Sequence, residues 1–180
     1  MREKIAKYTL VILLVVAIIG GIVSPYLRNR NVGHVDKEQS NVSIPDFVFY
    51  NEDDEQVNFS DFEGKPVVLN FWTSWCIYCR EEMPDFESLC REYSDKVNFI
   101  FLDCIGSRGE TKRMAQDFME ENGYNLPVYY DNDGQGMYVF GINSFPTTVY
   151  ADRHGNLYYA VLGRTDYDSA LEVIKEMLGE

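Results

Sequence analysis

The stretch Phe71-Trp72-Thr73-Ser74-Trp75-Cys76-Ile77-Tyr78-Cys79-Arg80-Glu81-Glu82-Met83-Pro84 places two cysteines, three residues apart, between two kinds of hydrophobic pattern. Upstream, Pro66 to Trp72 is a near-continuous apolar run, the pattern of a central strand buried on both faces. Downstream, Met83, Phe86, Leu89, Cys90 and Tyr93 recur at spacings of three and four, the apolar stripe of a helix. The cysteine pair therefore falls where a strand hands over to a helix. Unpaired backbone N–H groups and the helix dipole favour an anion there, which lowers the pKa of the first thiol. The second thiol, one turn on, is placed to close a disulfide and to resolve a mixed disulfide with a partner.

Zinc sites use the same spacing, but zinc wants four ligands. The chain has no second C-x-x-C and no paired histidines; His34 sits in a polar segment and His154 in a distant turn. Ligand count thus favours redox chemistry, with no metal and no cofactor expected. Cys90 is eleven residues past Cys79, about 16 Å along a helix, too far to reach the pair, and its place on the apolar stripe reads as a buried structural thiol. Cys104 follows the apolar run Val97 to Asp103 at a strand end, where a modulatory or an inert buried thiol would both fit.

Outward from this centre, Ile44 to Tyr50 and Gln56 to Phe59 alternate about the turn Asn51 to Glu55 and predict an N-terminal hairpin. Ser60 and Asp61 read as the cap of a short helical turn before Gly64. Met114, Ala115, Phe118 and Met119 mark a helix ending near Gly123, and Leu126 to Tyr130 is short and strand-like. Thr147 to Ala151 and Leu157 to Gly163 flank the turn Asp152 to Asn156 as a second hairpin, and Ala170, Leu171, Ile174, Met177 and Leu178 close the chain as an amphipathic helix. Alternating strands and helices finished by a hairpin and a helix predict an α/β fold, a mixed central sheet with helices on both faces.

The ends of the chain differ in charge. Residues 1 to 30 hold five bases and one acid, whereas residues 31 to 180 hold 11 bases and 28 acids. So acidic a domain repels phosphate backbones, which argues against nucleic-acid binding. Tyr8 to Leu27 contains no charged residue, and twenty residues make about 30 Å of helix, the hydrocarbon thickness of a bilayer. Its length and the lack of a small-x-small cleavage site predict an uncleaved signal-anchor rather than a cleaved leader. The expected organisation is a cytoplasmic N-terminus over 1–7, a transmembrane helix over 8–27, a polar tether over 28–43 and one domain over 44–180. Three bases before the span and two after it tilt the prediction towards a cytoplasmic N-terminus.

The segment from Phe71 to Pro84 resembles the active-site segment of the thioredoxin superfamily, with an aromatic pair, Trp75 directly before the first cysteine, and Pro84 five residues after the second. The N-terminal hairpin, the Leu69-Asn70-Phe71-Trp72 strand, the extra strand-helix stretch from about Gly106 to Tyr130 and Ser144-Phe145-Pro146-Thr147-Thr148 resemble more narrowly the TlpA and ResA type of membrane-anchored thiol-disulfide oxidoreductase. The resemblance implies a thioredoxin-like fold and protein-disulfide exchange through Cys76 and Cys79. It also implies that Pro146 is the cis-proline beside the dithiol, with Trp75, Phe145 and Pro146 contacting substrate. Pro84 would kink the active-site helix, and Asn70 and Trp72 would be structural neighbours of the site. Asn70 stands where ordinary thioredoxins have a buried aspartate, and Glu82 matches an acid that ResA-like proteins place near the thiols.

A carboxyl partly buried there would have its pKa raised towards neutrality, suited to exchanging a proton with Cys79; a solvated helix acid beside Glu81 is the alternative. Ile77-Tyr78 departs from the Gly-Pro of thioredoxins and the Glu-Pro of ResA, which leaves the redox poise open. The implied partners are an exported protein carrying a disulfide (apocytochrome c, in cytochrome c maturation, is one of several) and a membrane dithiol donor of the CcdA kind. The implied location is the cell membrane, with the domain extracytoplasmic. Two rivals are a thioredoxin-fold peroxidase of the AhpC/TSA kind, whose T-x-x-C is matched by Thr73 to Cys76 but whose preceding proline is Leu69 here, and an SCO-like copper-binding module, which has a three-residue gap between its cysteines.

Overall fold

The computed structural model describes residues 42–180. The expected anchor over 8–27 and the tether as far as residue 41 lie outside the described residues. Among the described residues no helix is long and apolar enough to cross a membrane. The elements run β1 (Val48–Tyr50), β2 (Gln56–Asn58), β3 (Val67–Trp72), α1 (Ile77–Tyr93), β4 (Asn98–Asp103), α2 (Lys112–Asn122), β5 (Val128–Tyr130), α3 (Gln135–Phe140), β6 (Thr147–Ala151), β7 (Leu157–Leu162) and α4 (Tyr167–Leu178).

Seven strands form one mixed sheet in the order β2-β1-β5-β4-β3-β6-β7. The central β3, β4 and β5 are parallel, while β1 joins β5 and β6 joins β3 antiparallel. All six residues of β3 are buried because both faces of the sheet are covered. Val68 and Trp72 pack with Met83, Phe86 and Leu89 of α1, Phe118 of α2 and Ile174 of α4. Val67, Leu69 and Phe71 pack on the opposite face with Phe47, Phe49 and the partly buried Met137 and Phe140 of α3. Each large apolar side chain so enclosed contributes about 1.5 to 3 kcal/mol relative to exposure, so the near-continuous hydrophobic run fixes β3 at the centre.

Helix α2 ends at Asn122 with Gly123 as its C-cap, where the sequence places it; of its four marking residues Ala115 and Phe118 are buried, whereas Met114 is 41% exposed. Several local expectations are corrected. The short turn Phe59–Phe62 is capped by Asn58 rather than by Ser60 or Asp61; Asp61 reaches back to accept from the Asn58 N–H at 2.9 Å. Helix α3 was not foreseen, since six residues are too short for a period to register. It lies so close to the sheet that a Cβ on Gly136 would stand 2.8 Å from Leu102 Cδ2. Val42 and Ser43 belong to the folded unit: Leu157 N–H donates to Val42 O at 2.8 Å, and Ser43 bridges Asn156.

Candidate active site

The end of β3 delivers Trp72 into the core, and Thr73-Ser74-Trp75 turns the chain so that Cys76 caps α1. Cys76 Sγ accepts the Cys79 N–H at 3.2 Å, one of the free donors at the helix start. Cys76 and Cys79 are joined in a disulfide with their Cα atoms 5.3 Å apart. Cys76 retains 5% of its surface and Cys79 none, so the first cysteine is the more exposed of the two. Pro84 lies inside α1 on its exposed side.

The Phe145–Pro146 peptide bond is cis. Phe145 meets the Trp75 ring edge-on, with centroids 5.9 Å apart, and Trp75 Nε1 donates to Ser107 O at 3.0 Å. Thus the residue before the dithiol, the residue before Pro146 and the loop after β4 meet at one end of the sheet. Trp72 is fully buried and packs beside Phe118 at 5.8 Å.

Glu82, one turn beyond Cys79, is fully buried. Its Oε1 accepts from Asn70 Nδ2 at 2.8 Å and its Oε2 from the Thr165 N–H at 2.9 Å. Asn70 also donates to Thr148 Oγ1 at 2.9 Å, its register partner on β6. Burial raises the Glu82 carboxyl to about 8, against the two hydrogen bonds, which favour the ionised form. The expected solvent-shielded acid is therefore present, and the solvated alternative is not what the fold builds.

The remaining cysteines are unsuited to exchange. Cys90 is buried, its thiol pushed up to about 12 by desolvation and then by Glu87. Cys104 is fully buried on the opposite face of the sheet from α1, and burial followed by the nearby Asp131 and Asp103 charges holds it well above its ordinary value. His154 is exposed in the β6–β7 turn, at the far end of β6 from Pro146.

Sequence reasoning missed Thr165, Thr148 and the loop from Ile105 to Glu110. Thr165 contributes only a backbone N–H, which any residue but proline carries, so no sequence signal could mark it. Thr148 becomes a partner of Asn70 only through β3–β6 pairing.

A strand leading to a Cys-x-x-Cys at a helix N-terminus, a cis-proline loop packed on the tryptophan before it and a buried carboxyl one turn on define a thioredoxin-fold thiol-disulfide oxidoreductase. The chain belongs to the AhpC/TSA family, whose model matches residues 41–160. It is 30% identical to the thiol-disulfide oxidoreductase ResA of Oceanobacillus iheyensis, over 91% of this chain and 83% of that protein. Over 98% of this chain and 99% of its relative it is 28% identical to ResA of Bacillus cereus. The crystal structure of the exposed lipoprotein thioredoxin of Streptococcus pneumoniae superposes with a TM-score of 0.63 at 30% identity, covering 73% of this chain and 99% of that one. Its activity is accordingly thiol-disulfide exchange of the ResA type.

Proposed function

We propose that this protein is a membrane-anchored, extracytoplasmic reductase of disulfides in exported proteins. The observation that carries the chemistry is the pairing of the more exposed cysteine, Cys76, at a helix N-terminus with a buried Glu82 held near 8. Anchoring is supported by the uncharged stretch from Tyr8 to Leu27, and the reducing direction by likeness to ResA proteins.

In the reduced state the Cys76 thiolate attacks one sulfur of a substrate disulfide; the S–S bond breaks, a Cys76–substrate disulfide forms, and the displaced substrate sulfur leaves as a thiolate that takes a proton from water. Cys79 then gives its proton to the Glu82 carboxylate and attacks Cys76 Sγ. The second substrate sulfur leaves, two electrons have passed to substrate, and the Cys76–Cys79 disulfide remains. Glu82 suits this step because an acceptor with a pKa near the working pH can both take and release the proton. Trp75, Phe145 and Pro146 line the approach. A membrane dithiol carrier of the CcdA kind would return the chain to its reduced form.

Cys79→Ser, which removes the resolving sulfur, should accumulate a mixed disulfide through Cys76 with an exported protein, identified by mass spectrometry after diagonal electrophoresis. Adducts only with cytoplasmic proteins would overturn the location. Hydrogen peroxide should oxidise the wild-type dithiol at least about a hundredfold more slowly than a protein disulfide does; the reverse order would establish the peroxidase reading instead.

A further inference from the structure

The loop after β4 carries a feature that disulfide exchange by itself does not use. Arg108 lies with its guanidinium carbon 5.0 Å from the centroid of the Trp75 ring. The backbone that puts it there is left-handed, at φ 49° and ψ 34°, although the residue is not glycine. Such a conformation costs about 1 kcal/mol for an ordinary side chain. The ring beneath is itself fixed, by its Nε1 bond to Ser107 O and its edge contact with Phe145.

The charge of Arg108 is unanswered. Among the described residues Lys96, Lys112, Arg113 and Arg164 hold carboxylates, whereas Arg108, like Lys65, Arg80, Arg91, Arg153 and Lys175, has no ion-pair partner; what sets Arg108 apart is its place on Trp75 beside the dithiol. It is exposed and borders a cleft of about 480 Å³ that runs from Trp75 past Met137 and Asn143 to Phe145, with no acidic residue in its lining. Arg80, next to Cys79, lies similarly over the Phe118 ring at 5.0 Å with no carboxylate partner among the described residues. In a chain whose residues 31 to 180 hold 28 acids, two such cations beside the dithiol run against the overall charge.

A guanidinium lying on an aromatic ring keeps its in-plane N–H fork directed outward, the geometry that receives a carboxylate through two parallel hydrogen bonds. We propose that Arg108 is a specificity-determining residue which recognises an acidic side chain flanking the reactive half-cystine of the substrate polypeptide. The substrate chain then lies along the cleft bordered by Trp75, Arg108, Asn143 and Phe145, its disulfide over Cys76 and its carboxylate on Arg108. This rests on the reading that Cys76 attacks a substrate disulfide, and the site acts before that attack, by orienting the encounter.

The test uses the full chain, pre-reduced, in single-turnover reactions with two disulfide-bonded peptides identical except for Glu or Lys beside the half-cystine. Wild type should reduce the Glu peptide about tenfold faster than the Lys peptide at low salt, and 0.5 M NaCl should shrink the ratio. The ratio is taken within each variant, so a change in overall rate does not enter it. Arg108→Lys should keep a preference for Glu, Arg108→Gln should level it, and Arg108→Glu should reverse it. Equal rates for the two peptides with wild type, or a Glu preference that survives in Arg108→Glu, would overturn the proposal. Failure of wild type to reduce either peptide, or a small neutral disulfide, would instead overturn the disulfide reductase reading beneath it.

Discussion

Glu82 and Asp103 are both fully buried carboxyls raised far above their ordinary range, to about 8 and about 9, but their surroundings are unlike. Around Glu82, the Thr165 N–H and the Asn70 amide each donate to one oxygen and oppose the effect of burial. Around Asp103, at the end of β4, burial is reinforced by the neighbouring Glu110, and none of the four carboxyl oxygens of Asp103 and Glu110 has a protein hydrogen-bond partner. A buried acid becomes an exchangeable base only where fixed donors support its charged form; without them it holds its proton through the neutral range. On this reasoning the first carboxyl belongs to the chemistry of the dithiol, whereas the second does not.

The largest expected effect separates the two directly. Glu82→Gln keeps the shape but removes the titrating group, and it should slow release of reduced substrate about a hundredfold while the initial attack by Cys76 changes little. Asp103→Asn should leave the release step within about threefold. Stopped-flow records of both steps between pH 6 and 9 measure this, and equal slowing in both variants would break the distinction.

Stability should follow the same contrast. Because both folded pKa values lie above those of the unfolded chain, the native state binds more protons between about pH 4 and pH 9. Stability is therefore greatest at the acid side of that window, falls as pH rises through it, and levels off above about 9. Replacing Asp103 by Asn removes its share of the loss. The variant should be on the order of 2 to 4 kcal/mol more stable than wild type at pH 8 and nearly unchanged at pH 4, as read by urea unfolding at the two values. Destabilisation at both would show that the Asp103 carboxyl is doing structural service.

A smaller effect sharpens the account of Glu82. Asn70→Ala removes one donor and should carry the Glu82 midpoint above 8, whereas Thr165→Ala should leave it in place, because the donor there is the backbone. Carbon-detected NMR titration of the Glu82 carboxyl distinguishes them.

The periodicities of the chain by themselves determined the succession of strands and helices, the burial of β3 and the place of Cys76 at a helix start, because each follows from local pattern: an unbroken apolar run, a stripe at three and four, a turn between them. Glu82 is marked out by the resemblance to ResA-type proteins, with its position one turn past Cys79 agreeing. What the periodicities could not carry is anything that depends on which strands become neighbours. Asn70 meets Thr148 only because β3 pairs with β6, Glu82 meets Thr165 only because the loop before α4 folds back over α1, and Arg108 covers Trp75 only because the chain after β4 turns left-handed beside the dithiol. These contacts join residues 33 to 83 positions apart in the chain, through a backbone N–H in one case and a single cation over a ring in another. No local propensity encodes them, and it is tertiary packing that sets the proton affinity of the buried carboxyl and the charge at the mouth of the site.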